Sequence, residues 1–338
     1  MSSHPSFPHA PNGSAVQTAC PVCRASNPAK CVPGRDRLFG LVQGTFALCR
    51  CSSCGCVFQN PVPENSALAR FYPREYWWSE NAILVGRTAR FFRKLEKAYR
   101  EFVTRDHVRF LNSCVRENPH SKKLLLDIGC GNGTFLHLAE LHGFDSHGMD
   151  VSDRAVEIAQ QQYGLKVRQG EIGSRIWEGC RFDFITMFHV LEHLPDPRLG
   201  LKYARELLQP GGVLILQVPN LSSLQARLFG PRWYGLDVPR HVINYTPKAL
   251  GHLLRDAGFG YRLSSRFSLR DNPASIASSL VPWLDPIHRK GMGLDLSPAL
   301  GGAIEIAYFG LVLLSVPAAL FESACGVGGT IWACAKPN

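Results

Sequence analysis

The sequence has no segment that predicts a secretory signal and no uncharged run long enough to predict a spanning helix. Its first residues contain no basic region followed by an apolar stretch, so we expect no secretory signal. The longest apolar segment, residues 306–321, has sixteen uncharged residues and contains Pro317. A spanning helix needs about 20 residues, so this segment is predicted to be a helix buried in the core or in a dimer, with an interfacial membrane helix as the alternative. We therefore expect a cytoplasmic protein, with peripheral contact at the inner face of the membrane as a second hypothesis.

Acidic residues are also scarce. The sequence has 27 Asp and Glu residues and 37 Lys and Arg residues, which gives a formal net charge of +10. Within residues 1–120 there are eight acidic and sixteen basic residues. This excess suits phosphate-bearing partners, whether nucleotide-linked substrates, nucleic acid or an anionic membrane. A solvated basic surface would give the same composition.

The 338 residues divide by pattern into four parts. Residues 1–17 are rich in Pro and Ser and are predicted to be a flexible tail, and residues 18–62 form a cysteine-rich module. Residues 63–118 contain a linker and a long amphipathic helix. From residue 119 to residue 338 short apolar runs alternate with helical stretches, which indicates an α/β fold with helices on both faces of a parallel sheet. An insertion at 271–327 precedes the final strand.

Seven of the twelve cysteines fall before residue 57. Two pairs have the spacing C-x2-C and are separated by 27 residues. They are Cys20 with Cys23 and Cys51 with Cys54. Four thiolates in this arrangement suit a structural zinc ion, although the long spacer must then form a hairpin of its own. Cys49 and Cys56 flank the second pair at odd offsets and are predicted to be packing residues or spare thiols.

A glycine loop, "LLLDIGCGNGTF", joins a buried strand to a helix. It contains Asp127, Gly129, Gly131 and Gly133. The third glycine comes one residue too early for a dinucleotide fingerprint, and an acid so close would repel a pyrophosphate but attract a cation. S-adenosylmethionine carries an ammonium and a sulfonium group and no phosphate. Asp150, at the end of the next strand, is placed to accept hydrogen bonds from ribose hydroxyls. The loop therefore predicts a site for this cofactor, with a plain tight turn as the alternative.

The segment "FHVLEHLPDP" contains His-x-x-Glu-His, a pattern that zinc peptidases also use on a helix. Pro195 and Pro197 follow too closely for such a helix, so we reject the protease interpretation. The side chains of His189, Glu192 and His193 are expected just past the carboxyl end of a strand, where open α/β sheets bind ligands.

His193 is a candidate general base with Glu192 orienting it, a structural role being the alternative, and His189 is a weaker candidate. His241, in "LDVPRHVINYT", is a rival base because its loop faces the same cleft. Arg240 beside it is interpreted as a ligand for a substrate phosphate or carboxylate, or as a surface ion pair.

The segments "LLLDIGCGNG", "GMD", "FDFITMFHVLEHLPDP" and "LLQPGGVLILQVPN" together resemble the class I S-adenosylmethionine-dependent methyltransferases over roughly residues 120–260. The resemblance implies a Rossmann-like sheet of seven strands with an antiparallel last strand, here with a helical insertion before it. It places the glycine loop at the methionine end of the cofactor and Asp150 at the ribose. Glu171 would lie near the adenine, where the family usually has Asp. The implied cofactor-binding residues are Asp127, Gly129, Cys130, Gly131, Gly133, Asp150, Glu171 and Phe188.

The stretch "CRCSSCGCVFQNPVPENSALARFYPREYWW" resembles the zinc ribbon that precedes some methyltransferases, including sugar C-methyltransferases and enzymes of polysaccharide gene clusters. That resemblance implies a small-molecule or glycan acceptor, a sugar nucleotide or a lipid-linked saccharide. Four of its aromatic residues are a candidate lid over the cofactor, with packing between the ribbon and the sheet as the alternative: Tyr72, Tyr76, Trp77 and Trp78. The alternatives are a nucleic-acid methyltransferase, which the absence of an Asn-Pro-Pro-Tyr signature disfavours, and a non-catalytic scaffold that keeps the cofactor pocket.

Overall fold

The computed structural model describes residues 19–26, 28–42, 44–64, 68–72, 87–116, 123–294 and 297–338. The predicted tail at 1–17 and the aromatic residues Tyr76, Trp77 and Trp78 lie outside these ranges. The strands are β1 (Pro28–Gly34), β2 (Phe46–Cys51), β3 (Val57–Gln59), β4 (Leu124–Ile128), β5 (Asp145–Asp150), β6 (Lys166–Gln169), β7 (Phe182–Phe188), β8 (Leu208–Pro219), β9 (Ile243–Asn244), β10 (Phe259–Ser264) and β11 (Thr330–Pro337). The helices are α1 (Arg87–Arg116), α2 (Thr134–Leu141), α3 (Asp153–Tyr163), α4 (Pro197–Leu207), α5 (Leu224–Phe229), α6 (Pro247–Asp256), α7 (Asn272–Leu280), α8 (Pro286–Gly291) and α9 (Pro298–Ala324).

The main sheet has seven strands in the order β10-β11-β8-β7-β4-β5-β6. Strands β4 to β8 pair in parallel, and β11 pairs antiparallel with both β8 and β10. The prediction of a seven-stranded sheet with an antiparallel last strand is confirmed. Because β4 and β7 are adjacent and parallel, the loops after Ile128 and Phe188 leave the same edge of the sheet, which is where ligands bind in such folds.

Local capping explains where two of the covering helices begin. Asp196 accepts hydrogen bonds from the backbone N–H groups of Arg198 and Leu199 at the start of α4, and Thr246 accepts from Ala249 N at the start of α6. Both helices have Pro at their first position, where no backbone N–H is needed. Asp196 also marks the end of the segment that contains His-x-x-Glu-His, because α4 begins at this cap.

The cysteine-rich module is attached to the main domain by a shared sheet. Strands β1, β2 and β3 form an antiparallel sheet whose fourth strand, β9, comes from the segment of the main domain between β8 and β10. Val57 pairs with Asn244 and Phe58 with Ile243. The module therefore lies directly against the loop that carries His241.

Of the two alternatives given for Cys49, packing is confirmed and a spare thiol is wrong. Cys49 is fully buried in the core, and it forms a disulfide with Cys31 across β1 and β2. The two residues face each other in the register of the hairpin that fills the long spacer between the two C-x2-C pairs. This hairpin is the one that the length of the spacer predicted.

The length predicted for the late apolar helix is also wrong. α9 continues through Pro317 and has 27 residues, and within the described part of the chain it is the one helix long and apolar enough to cross a membrane. Burial in the core is excluded for most of its apolar side chains. Ile306, Leu313 and Leu314 are 75%, 71% and 79% exposed.

Candidate functional site

The glycine loop has the backbone conformation that only glycine adopts readily. Gly129, Gly131 and Gly133 all have positive φ, at 76°, 52° and 78°. A Cβ on Gly129 would lie 2.5 Å from Val190 Cγ2, and one on Gly133 would lie 2.4 Å from Leu165 Cδ1. At Gly131 no atom lies within 4 Å of the added Cβ. Two glycines therefore close the turn, while Gly131 leaves the backbone open to a ligand.

Two carboxylates lie on either side of this loop, and both are buried. Asp127 accepts a 2.6 Å hydrogen bond from Thr186 Oγ1. Asp150 accepts from Gly131 N at 2.8 Å and from Ser152 N at 2.9 Å. Burial raises the pKa of Asp150, and it raises the pKa of Asp127 to about 7, with a further contribution from the nearby Asp150 charge. A cationic ligand would remove this penalty for Asp127.

The other residues expected at the cofactor reach the same cleft, which has a volume of about 1430 Å³. Glu171 is exposed at its wall. Phe188 contacts His107 and Phe135 edge to face. Cys130 faces the core, and burial raises the pKa of its thiol well above the ordinary value. Its side chain therefore packs, and its backbone lines the ligand space.

The His-x-x-Glu-His segment is not a helix of several turns. It contains a single 3-10 turn, Leu191–His193, after the end of β7. The rejection of a peptidase helix is consistent with this geometry.

The ring of His189 lies between two carboxylates. Its Nδ1 lies 3.1 Å from Glu192 Oε1, and its Nε2 lies 3.2 Å from Asp271 Oδ2. Burial by itself disfavours the charged ring, but Asp271 and Glu192 together raise the pKa of His189 to about 9. The geometry thus argues against His189 as the base. The hydrogen bond of the Glu192 carboxylate goes to His189. Glu192 therefore orients His189, whereas the sequence predicted that it would orient His193.

The two base candidates lie side by side, although 48 positions separate them in the sequence. The ring centroids of His193 and His241 are 4.7 Å apart, and both side chains line the cleft. Burial lowers the pKa of His193 to about 4, and the nearby His241 adds to the effect, so its ring is neutral. That either histidine acts as the base stays a prediction.

The interpretation of Arg240 as a substrate ligand or a surface ion pair is wrong. Its side chain is fully buried and donates to Asp36 at 2.9 Å and to Asp237 at 2.6 Å. Although burial by itself opposes the charge, these two carboxylates raise the pKa of Arg240 above its usual range. Arg240 joins the cysteine-rich module to the His241 loop, and Gln59 adds to this junction by donating to the carbonyl of Pro239.

The thiols of the two C-x2-C pairs converge, with their sulfur atoms all within 4.8 Å of one another. Cys20 Sγ lies 3.7 Å from Cys54 Sγ, and Cys23 Sγ lies 3.4 Å from Cys51 Sγ. A tetrahedron of Zn–S bonds of about 2.3 Å places its sulfurs about 3.8 Å apart. The group therefore fits zinc. Cys56 Sγ lies 3.5 Å from both Cys20 and Cys54, packed against the site as a fifth thiol.

Several residues of the cleft could not be identified from sequence spacing. His107 on α1 is buried and neutral, since burial lowers its pKa to about 3. Tyr72 Oη lies 2.8 Å from His193 Nδ1. Asp36 and Asp271 complete the charge network, and neither belongs to a motif. Of these residues, Tyr72 alone belongs to a predicted feature, the candidate aromatic lid.

The fold and the cleft define the class of protein. A seven-stranded sheet with this order, a glycine loop after its central strand and an acid at the end of the next strand make this a class I S-adenosylmethionine-dependent methyltransferase. Residues 95–263 match the family model described as a methyltransferase domain. The chain belongs to that family.

Curated relatives agree on the chemistry of the domain. The chain is 32% identical over 131 residues to a ubiquinone biosynthesis O-methyltransferase of Coxiella burnetii (strain Dugway 5J108-111), covering 37% of this chain and 53% of the relative. It is 30% identical over 185 residues to the enzyme with the same name from Cereibacter sphaeroides (strain ATCC 17025 / ATH 2.4.3), covering 52% of this chain and 65% of the relative. The matches thus span between half and two thirds of the relatives' length.

Among solved structures, the chain is similar to the plantazolicin methyltransferase BamL, with a TM-score of 0.47, 15% identity, and coverage of 80% of this chain and 96% of that one. It is also similar to magnesium protoporphyrin IX methyltransferase from Synechocystis PCC 6803, with a TM-score of 0.39, 18% identity, and coverage of 53% and 80%. These likenesses concern the fold alone.

Proposed function

We propose that the protein transfers the methyl group of S-adenosylmethionine to a small-molecule acceptor that enters the cleft at His193 and His241. The observation that carries this proposal is the continuity of the cleft, which is lined at one end by Asp127 and Asp150 and at the other by the two histidines. Methyl transfer requires an in-line approach of the acceptor atom to the sulfonium methyl. A single cleft that holds both groups provides that approach.

The cofactor assignments follow the chemistry of each group. Asp127 would bind the ammonium of the methionine end, because its buried carboxylate gains most from a cation. Asp150 would accept from the ribose, since each of its oxygens accepts one backbone hydrogen bond and keeps another lone pair. Gly131 would lie against the ligand, and Glu171 near the adenine. The group of four cysteines would bind a structural zinc ion.

A second cavity supports an acceptor that carries phosphate. Its volume is about 690 Å³, and it shares Leu38, Trp233, Tyr234 and Asp237 with the cleft. Its wall is strongly basic. The basic residues are Lys30, Arg35, Arg37, Arg50, Arg227 and Arg232. None of these six forms an ion pair with a carboxylate in the described part of the chain. Unneutralised guanidinium groups are suited to a diphosphate, which both a sugar nucleotide and a lipid-linked saccharide contain.

Of the sugar nucleotide and the lipid-linked saccharide, the exposed apolar face of α9 favours the lipid-linked saccharide as the acceptor. Its exposed apolar face continues onto α1, where Tyr99 contacts Phe309 at 5.4 Å between ring centroids. Arg105 and Arg109 of α1 are exposed, and Arg109 pairs with Asp106 at 3.3 Å. Tyr308 of α9 lines the cleft, so a lipid surface against this helix would lie next to the acceptor site. We infer a protein that acts at the cytoplasmic face of a membrane with α9 in the interfacial layer.

Methyl transfer from radiolabelled S-adenosylmethionine to a panel of acceptors tests the proposal. Saccharides linked to a polyprenyl diphosphate should accept the label, nucleotide sugars less well and free sugars least. Arg37→Ala and Arg232→Ala should each raise KM for a diphosphate acceptor about tenfold, since a charge-assisted hydrogen bond contributes about 1.5–3 kcal/mol. Arg181→Ala, an exposed arginine outside the cavity, is the matched control. Transfer to free sugars as fast as to diphosphate acceptors would contradict the acceptor assignment.

Vesicle flotation tests the membrane contact separately. The protein should float with vesicles that contain anionic lipid, and the double variant Leu313→Asp/Leu314→Asp should not. Leu141→Asp changes an equally exposed leucine on α2 and should behave like the wild type. Equal flotation of all three proteins would exclude α9 as the contact.

A further inference from the structure

Three ligand-type side chains converge at the acceptor end of the cleft. Glu192 and His193 come from the turn after β7, and His241 comes from the loop before β9. One donor atom from each residue lies within 4.8 Å of the other two. The cofactor assignments above use none of these side chains.

Both histidines contact a backbone carbonyl through the same ring nitrogen, Nδ1. Nδ1 of His241 lies 2.8 Å from the carbonyl oxygen of Gly235, and Nδ1 of His193 lies 3.1 Å from the carbonyl oxygen of Arg240. A carbonyl can only accept, so Nδ1 of His241 carries the proton and its Nε2 keeps a lone pair. Nδ1 of His193 also lies 2.8 Å from Tyr72 Oη. A tyrosine hydroxyl can accept as well as donate, so both contacts of this nitrogen are compatible with a protonated Nδ1 and a lone pair on Nε2. Histidines that bind metals are held in this way, with the other nitrogen donating to a backbone carbonyl.

Glu192 supplies an oxygen without a partner. Its side chain is buried, and Oε1 pairs with the His189 ring at 3.1 Å. Oε2 has no hydrogen-bond partner among the described residues. Leaving a buried carboxylate oxygen unpaired costs free energy, so this atom requires a donor or a cation.

The Glu192 carboxylate also lacks a lysine or arginine partner among the described residues. Arg240 is shared by Asp36 and Asp237, and Arg270 approaches Asp271 at 3.7 Å. The ion-pair contact given for Glu192 is the His189 ring at 3.1 Å. A divalent cation would supply a charge partner for this carboxylate.

We propose that Glu192, His193 and His241 bind a divalent transition-metal cation at the acceptor end of the cleft. Two imidazoles and one carboxylate suit zinc, cobalt, iron or manganese rather than calcium or magnesium, which prefer oxygen donors throughout. Three protein ligands would leave further coordination positions, and His193 and His241 line the cleft. There the cation would bind an acceptor oxygen and lower its pKa. This last role rests on the proposed function, whereas metal binding does not.

The proposal changes the expected roles of the histidines. A ring whose Nε2 binds a metal cannot also take a proton from the acceptor. His193 and His241 would then act as ligands, and neither would be the base.

Cobalt(II) titration of the metal-stripped full chain tests the site, because cobalt reports on its ligands. The first equivalent should bind at the cysteine group and give sulfur-to-cobalt absorption. A second equivalent should add weaker visible bands without further sulfur absorption. Glu192→Gln and His241→Ala should each weaken binding of the second equivalent at least tenfold. His252→Ala, a half-exposed histidine on α6, should bind as the wild type does.

Binding of cobalt by the cysteine group alone in the wild-type protein would overturn the proposal, as would an unchanged second equivalent in Glu192→Gln. The glutamine variant is isosteric, so it remains informative where His241→Ala fails to fold. S-adenosylmethionine binding is measured on the same samples. A protein that binds the second cobalt but not the cofactor would refute the proposed function and leave the metal site intact.

Discussion

The two ends of the cleft are built in different ways. The cofactor end comes from one short stretch, Asp127 to Gly133, together with Asp150, and its shape follows from backbone conformation and strand ends. The acceptor end brings together side chains from five separate segments, held by buried charges. These are Asp36, Tyr72, Glu192 with His193, Asp237 to His241, and Asp271. A local motif can specify the first end, whereas the second exists only after the whole chain has folded.

The largest expected effect of a substitution is at Arg240, in the acceptor end. Arg240→Ala should lower the free energy of unfolding by about 3–5 kcal/mol, because it leaves Asp36 and Asp237 buried without their shared cation. Urea denaturation measures this, and Arg181→Ala should change stability by less than about 0.5 kcal/mol. A loss below about 1 kcal/mol for Arg240→Ala would mean that the junction does not hold the acceptor end.

At the cofactor end, Asp127→Ala should leave the fold intact and weaken S-adenosylmethionine binding by about a hundredfold. It removes the buried carboxylate that we assign to the ammonium group, and charge-assisted hydrogen bonds of this kind contribute about 1.5–3 kcal/mol. Calorimetric titration measures the loss. Asp145→Ala, an exposed acid on β5, is the control. Unchanged affinity in Asp127→Ala would refute the loop assignment.

The raised pKa of Asp127, about 7, predicts how cofactor binding depends on pH. The folded protein without cofactor favours the neutral acid, so this group makes the fold less stable as the pH rises from about 4 to 7. The cofactor cation requires the ionised form. Affinity should therefore fall about fivefold to tenfold between pH 7.5 and pH 6, with proton release on binding at pH 6.

The isosteric variant Asp127→Asn provides the control for this pH dependence. It cannot ionise, so its weaker binding should be independent of pH over the same range. A wild-type profile as flat as that of the variant would mean that Asp127 does not titrate near neutrality.

The smallest expected effect is at Thr186, and it also concerns the ionisation of Asp127. Thr186→Val removes the 2.6 Å hydrogen bond to Asp127, which stabilises the ionised carboxylate. The pKa of Asp127 should rise further, and cofactor affinity at pH 7 should fall a few-fold, in line with about 1 kcal/mol for one hydrogen bond. The midpoint of the pH profile reports the shift. A midpoint that does not move would remove Thr186 from the site.

Sequence patterns predicted the elements that depend on local rules. The α/β alternation, the glycine loop and the convergence of the two C-x2-C pairs follow from apolar periodicity, φ restrictions and ligand spacing. The count of seven strands came from the resemblance to the methyltransferases. The errors have a common origin. The surroundings of Arg240, the disulfide of Cys49 and the exposure of residues 306–321 are each decided by a partner or a solvent boundary that the neighbouring sequence does not contain.

The sequence by itself determined the class of sheet and the place where a cofactor would bind, because both depend on residues within a few positions of each other. Only the tertiary structure decided the acceptor end. It paired β3 with β9, buried Arg240 between Asp36 and Asp237, set His193 beside His241, and left one face of α9 exposed. The physical reason is that buried charge and exposed apolar surface depend on what packs around a residue, and the sequence surrounding it does not contain that information.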